Sequence, residues 1–107
     1  MNKETALMNR LRVKASEYGV CFRANVGKVR MADGRFFDTG LPKGFSDLFG
    51  VRNEDGKAFF IEVKTEKGRP SKEQLNFIEQ MNKRGALAGI CRSEKDVEEL
   101  LNGNLQD

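Results

Sequence analysis

The chain has 107 residues, 38% hydrophobic and 33% charged, with a net charge of +3 and a pI near 9.0. That length supports one modest core and excludes two, the composition excludes a disordered or fibrous chain, and no run approaches the roughly 20 apolar residues that cross a bilayer. Histidine is absent, which removes the commonest general base and most transition-metal sites, so catalysis here must run on carboxylates and lysine.

Asn2 can cap a first helix over about residues 3–18, whose apolar positions Leu7, Met8, Leu11, Ala15 and Tyr18 share one face, with Gly19 as its stop. The same start, "MNKETALMNR", lacks the continuous apolar core of a signal peptide, and a cytoplasmic location is expected. "VCFRANVGKVRM" and "RFF" read as interrupted strand, and "DTGLPKG" as a loop. "FSDLFGV" and "KAFFIEVK" are strands flanking the turn-rich "RNEDG", which predicts a hairpin. Pro70 and Ser71 open a second helix, "SKEQLNFIEQMNKR", with Leu75, Phe77, Ile78 and Met81 available for burial and Gly85 closing it. "ALAGICR" reads as a short strand buried on both faces, and its position after strand and helix implies a right-handed crossover into parallel pairing. Ser93 begins a final helix, "SEKDVEELLNG", that can pack Val97, Leu100 and Leu101 on the sheet. The expected fold is α/β, a mixed sheet flanked by helices in the order α-β-β-β-α-β-α, as one domain over residues 1–107. Cys21 and Cys91 form no CxxC pair and sit among apolar neighbours, so buried thiols are expected.

Charge is uneven along this frame. Residues 10–35 hold seven Lys/Arg against Glu17 and Asp33, whereas residues 94–107 hold five acids and one lysine. A basic N-terminal side suits a polyanion, although solvated charged faces are just as common.

The sharpest signal is "FFIEVK", too apolar for an ordinary solvated strand. Alternation sends Phe59, Ile61 and Val63 to one face and Phe60, Glu62 and Lys64 to the other. If residues 53–56 make the hairpin turn, Arg52 faces Lys57 and Asp47 falls opposite Glu62. A tighter turn at Asp55 and Gly56 sets Asp47 opposite Lys64 instead. Both registers keep Asp47, Glu62 and Lys64 on one face, unless Gly50 marks a bulge and slips the register by one. Two carboxylates about 5 Å apart repel unless a cation lies between them. Mg2+ takes oxygen ligands of this kind, and beside it Lys64 would orient or activate an attacking water for phosphodiester hydrolysis. On Glu62 and Lys64 alone, an exposed strand face with an ion pair is the more ordinary explanation. The apolar surroundings and the facing aspartate shift the balance.

"GFSDLFGV", the hairpin, "FIEVKTEKGRPSKEQLNFIEQM" and "GALAGICRSEKDVEELL" together resemble the PD-(D/E)xK nuclease superfamily and, within it, the VRR-NUC (virus-type replication-repair nuclease) domain. The resemblance implies Asp47 and Glu62 as ligands of Mg2+ or Mn2+, the Val63 carbonyl as a frequent third ligand, and Lys64 as the catalytic lysine. Ser46 stands where the family has a proline. Gln74 matches a glutamine the family uses near its active site, but Ser71 and Gln74 also have the spacing of a capping box. Glu4 matches an acidic residue that helps hold metal or water, and it equally suits the positive end of the first helix. Lys43 and the glycines of "TGLPKGFSD" can approach DNA phosphates, and Arg23, Lys28, Arg30, Arg35, Lys67, Arg69 and Lys72 are further candidate contacts. What the resemblance implies is a homodimeric, metal-dependent DNA endonuclease of phage or bacterial type, acting on branched DNA such as four-way (Holliday) junctions. The alternatives are a non-catalytic DNA-binding module and a subunit that docks on a replication or recombination assembly through its acidic C-terminal helix.

Overall fold

A computed structural model describes residues 2–103. Helix α1 (Lys3–Ala15) starts where Asn2 Oδ1 accepts the Thr5 N–H at 2.8 Å. It stops three residues short of the expected end. Ser16 turns its hydroxyl back onto the Arg12 carbonyl at 2.8 Å, and the N–H groups of Glu17 and Tyr18 bond three residues back, tightening the exit.

The chain then builds β1 (Gly19–Arg23), β2 (Lys28–Arg30), β3 (Phe36–Asp38), β4 (Leu48–Arg52) and β5 (Ala58–Val63), then α2 (Lys72–Lys83), β6 (Leu87–Cys91) and α3 (Glu94–Asn102). The main sheet has four strands in the order β1-β4-β5-β6, with the first two pairings antiparallel and β5–β6 parallel. With β2 and β3, which lie outside the main sheet, set aside, this is the expected α-β-β-β-α-β-α order. The interrupted stretch before it divides in two: "GVCFR" enters the main sheet, while β2 and β3 pair only with each other as a separate hairpin.

One face of the sheet carries the main core. Cys21, Leu48, Phe59, Ile61, Val63, Leu87 and Cys91 meet Leu7, Met8, Leu11 and Ala15 of α1 and Val97 and Leu101 of α3, all buried. Each large apolar side chain fully buried there contributes about 1.5–3 kcal/mol. The two thiols are free, and burial pushes Cys21 up to about 11 and Cys91 to about 12, which makes them inert packing residues.

The opposite face holds a smaller aromatic layer under α2. Phe45 touches Phe49, Phe60 and Phe77 with ring centroids 5.7, 5.9 and 4.8 Å apart. Phe77, Ile78 and Met81 face the sheet as expected, but Leu75 does not; it is 49% exposed. The inward stripe of α2 runs through positions 74, 77, 78 and 81, and residue 75 lies a further 100° around the helix. Strand β6 is an edge strand, less enclosed than its composition suggests, with Gly89 and Ile90 half-buried. Its outer edge is partly occupied: the Asn82 amide both donates to the Ala88 carbonyl and accepts its N–H, each at 2.9 Å.

Arg52 is 2% exposed on the α1/α3 side, an expensive place for a cation unless it is fully paired. Its guanidinium binds both carboxylate oxygens of Asp55 and donates to the Leu101 carbonyl at 2.7 Å, joining the β4–β5 turn to the end of α3. This contact holds the Asp55 carboxyl down at about 2, from an ordinary 3.8. The folded-state value lies below the unfolded one, so the contribution is present above pH 3.8 and is lost as pH falls through about 2. Acid melts should therefore show wild type losing thermal stability across that window while Asp55→Asn, less stable at neutral pH, loses less.

Candidate active site

The hairpin register decides the geometry. Leu48 pairs with Ile61, Phe49 with Phe60, Gly50 with Phe59 and Val51 with Ala58, and the Arg52 N–H reaches the Lys57 carbonyl at 2.8 Å. The turn is therefore the longer of the two considered, and continuing the register sets Asp47 across from Glu62. Gly50 is no bulge. It lies within continuous pairing on both sides, and a Cβ there would come within 1.9 Å of the Val20 carbonyl oxygen, so the strands need a glycine to approach this closely.

Asp47 is fixed from two sides just before β4. Its carbonyl accepts the Ala24 N–H at 2.8 Å, and its Oδ2 accepts the Val63 N–H at 2.9 Å. Its carboxylate thus takes up a β5 donor beyond the last paired residue of β4. Ser46, at the family's proline position, is wholly buried and donates its hydroxyl to the Leu48 carbonyl at 2.9 Å. The segment leading into the aspartate is thereby anchored without proline.

Glu62 is 2% exposed on the α2 side of β5, and Lys64 Nζ stands 3.4 Å from its Oε2. Its Oε1 is buried with no hydrogen-bond partner. Burial, and next the neighbouring Asp47 charge, push this carboxyl from 4.5 up to about 8, with Lys64 pulling the other way. A buried oxygen left without a donor costs about 1–3 kcal/mol, more when charged. A divalent cation answers that deficit, and oxygen donors suit Mg2+ or Mn2+. Asp47 and Glu62 are the side chains that fit, with the Val63 carbonyl beside them in sequence. Among the described residues no three His, Cys, Asp or Glu side chains gather into a metal-holding group, so further ligands would have to be backbone, water or substrate oxygens.

The remaining candidates are placed as follows. Gln74 completes the capping box of α2: its Oε1 accepts the Ser71 N–H at 2.9 Å and its own N–H reaches Ser71 Oγ at 3.1 Å. Glu4 is exposed in the first turn of α1 and forms no metal-holding group with Asp47 and Glu62. Lys43, Lys67, Arg69 and Lys72 are exposed, on the loop before β4, the loop after β5 and the start of α2. Gly44 has a local structural role. It is buried with φ +96°, and a Cβ would meet the Glu73 backbone at 2.7 Å, so it docks its loop on the first turn of α2. Arg23, Lys28, Arg30 and Arg35 are exposed on β1 and the β2–β3 hairpin, with the Arg35 guanidinium 2.7 Å from Asp33. The sequence did not single out Arg92. It follows β6 and donates to carbonyls of the loop after Lys64: Thr65 at 2.6 Å, Gly68 at 2.8 Å and Glu66 at 3.4 Å.

Comparison with known proteins bears on the family and the fold. The family model of the VRR-NUC domain matches residues 5–95. A solved structure described as a VRR_NUC domain is similar over 97% of this chain and 99% of that chain, with a TM-score of 0.68 and 24% sequence identity, a likeness of fold. No curated protein matches.

The raised carboxyl of Glu62 has a measurable sign. Its folded-state value exceeds the unfolded one, so its contribution to stability is fully present below pH 4.5 and is lost as pH rises through about 8. In EDTA, the melting temperature of wild type should fall over that window more than that of Glu62→Gln. Added Mn2+ should restore it at the alkaline end and do little at the acid end. Parallel melting curves for the two proteins would remove Glu62 as the buried charge.

Proposed function

The chain belongs to the VRR-NUC domain family, and from that premise we propose that it is a Mg2+- or Mn2+-dependent DNA endonuclease acting on branched duplexes such as four-way junctions. The observation that carries this reading is the unpartnered Glu62 Oε1, buried on the same sheet face as Asp47, with the Lys64 ammonium 3.4 Å from the other oxygen, Oε2. Asp47 and Glu62 would hold the ion, with the Val63 carbonyl. When bound, such an ion activates water and neutralises charge developing on phosphorus. Lys64, 20% exposed at the rim of the pair, can donate to an attacking oxygen or a phosphate oxygen, and Glu62 keeps its amine turned to that point. The N–H of Val63 prevents Asp47 from rotating away.

The exposed cations lie on the segments that lead into and out of this centre, Lys43 before β4, Lys67 and Arg69 between β5 and α2, and Lys72 at the start of α2, and on β1 and the β2–β3 hairpin, Arg23, Lys28, Arg30 and Arg35. They are the proposed phosphate contacts. We also propose a homodimer, whose two centres would suit symmetric incision of a junction. The supporting observation is apolar: α2 covers β5 and β6, while Val20, Phe22 and Val51 on the same side of β1 and β4 are 48%, 47% and 44% exposed.

With a four-way junction, wild type should nick the DNA in Mg2+ or Mn2+ and not in EDTA, while Asp47→Ala and Lys64→Ala each lose at least about 100-fold in rate but still bind. Binding without cutting in every metal would leave a DNA-binding module, and neither binding nor cutting would favour a docking subunit. Affinity should also drop steeply with salt, since each phosphate contact released by an added cation contributes to the slope; a flat response would remove the assigned contacts. In sedimentation, wild type should run as a dimer and Phe22→Glu as a folded monomer.

A further inference from the structure

We propose that Arg92 is a positioning residue for Lys64: by binding the carbonyls of residues 65–68, it presses that turn against the lysine stem and fixes the ammonium beside Glu62. The inference rests on the role assigned to Lys64 above. Parallel pairing of β5 with β6 sets Val63 beside Cys91, so the next residues, Lys64 and Arg92, leave the sheet side by side. The Lys64 N–H bonds to the Cys91 carbonyl at 3.2 Å, which ties the two exits together. Beyond that point the 65–68 segment folds back on itself, with the Gly68 N–H on the Thr65 carbonyl at 3.0 Å. Gly68 then rests on Lys64: a Cβ there would lie 3.3 Å from Lys64 Cδ and 3.5 Å from Lys64 Cβ.

Turns of this size do not hold one shape against solvent without side-chain support. Arg92 supplies it. Nη1 makes two short bonds, to Thr65 and Gly68, and a longer one to Glu66. Its own N–H is held by Asp96 Oδ2 at 2.8 Å, within the first turn of α3. The backbone from which the guanidinium extends is therefore tied to a helix packed on the core, and through the arginine side chain a flexible lysine inherits part of that rigidity. Lysine has four rotatable bonds and strays readily unless its stem is confined.

The test uses Arg92→Met, Arg92→Lys and Gly68→Ala in the full chain, with two readouts. In metal-free protein, acetylation of Lys64 by acetic anhydride is followed by mass spectrometry relative to the exposed Lys83. Arg92→Met should raise the Lys64 rate several-fold, with Arg92→Lys between it and wild type. In junction cleavage, Arg92→Met should lower kcat roughly 10-fold, short of the about 100-fold that a full 1 Å displacement costs, with KM within about 2-fold. Arg92→Lys should recover part of that loss. Gly68→Ala crowds the stem directly while keeping the arginine side chain, so it should lower kcat in the same direction, and if Arg92→Met fails to fold, Arg92→Lys decides the matter. Unchanged Lys64 acetylation in the folded variants, or a loss confined to KM, would overturn the proposal and make Arg92 a turn brace or a DNA contact. If wild type cuts nothing, the nuclease reading falls, and acetylation still decides whether Arg92 holds Lys64.

Discussion

A carboxyl buried beside a second, half-buried carboxylate is the constraint around which this small fold is arranged. Glu62 sits one residue from the end of a strand whose other face is core, buried under α2, and Asp47 is bonded to that strand's backbone. A chain selected only for stability would place an apolar residue at position 62. The lone proton acceptor left on Glu62 is a cost the rest of the structure must carry.

The surrounding structure meets that cost by dividing its labour between the two faces of the sheet. The α1/α3 side is a continuous apolar core that includes every inward residue of β5, and it makes the strand rigid. The α2 side is thinner and aromatic, and it ends where the carboxylates begin. Two buried glycines keep this geometry: Gly50 lets β1 and β4 approach without a bulge, and Gly44 lets the loop before Asp47 lie on α2. Arg52 joins the hairpin turn to the end of α3, so the register that aligns Asp47 with Glu62 is tied to the helix behind it.

Much of this could be read from residue order, for reasons that are themselves physical. Alternation in "FFIEVK" is a period-2 signal, and period alone tells which side chains share a face. The caps at Asn2, Ser71 and Ser93 have local chemistry, and all three form. What could not be read depends on partners remote in sequence. Whether Gly50 is a bulge or a close contact is decided by Val20, thirty residues away. The hairpin turn is tied through Arg52 to the Leu101 carbonyl, forty-nine residues away, a contact no local pattern announces. Leu75 adds to the apolar count of α2, but the angle of the helix on the sheet turns it outward, and the separation of the β2–β3 hairpin is not legible because nothing in "VCFRANVGKVRM" marks where one sheet ends. Arg92 had a usable signal: parallel pairing brings the residue after β6 next to the residue after β5, which follows once the register is known.

The side-chain amide of Asn82 has a consequence for how copies of this protein can meet. It occupies the outward-facing groups of Ala88, and Asp96 takes the outward N–H of Arg92, so the β6 border of the sheet offers an incoming strand few open positions. Among the described residues the opposite border, along β1, shows no such plug. Main-chain association by strand addition is thereby confined to one end of the sheet, and an assembly built on a single sticky border closes as a pair instead of propagating into a fibre.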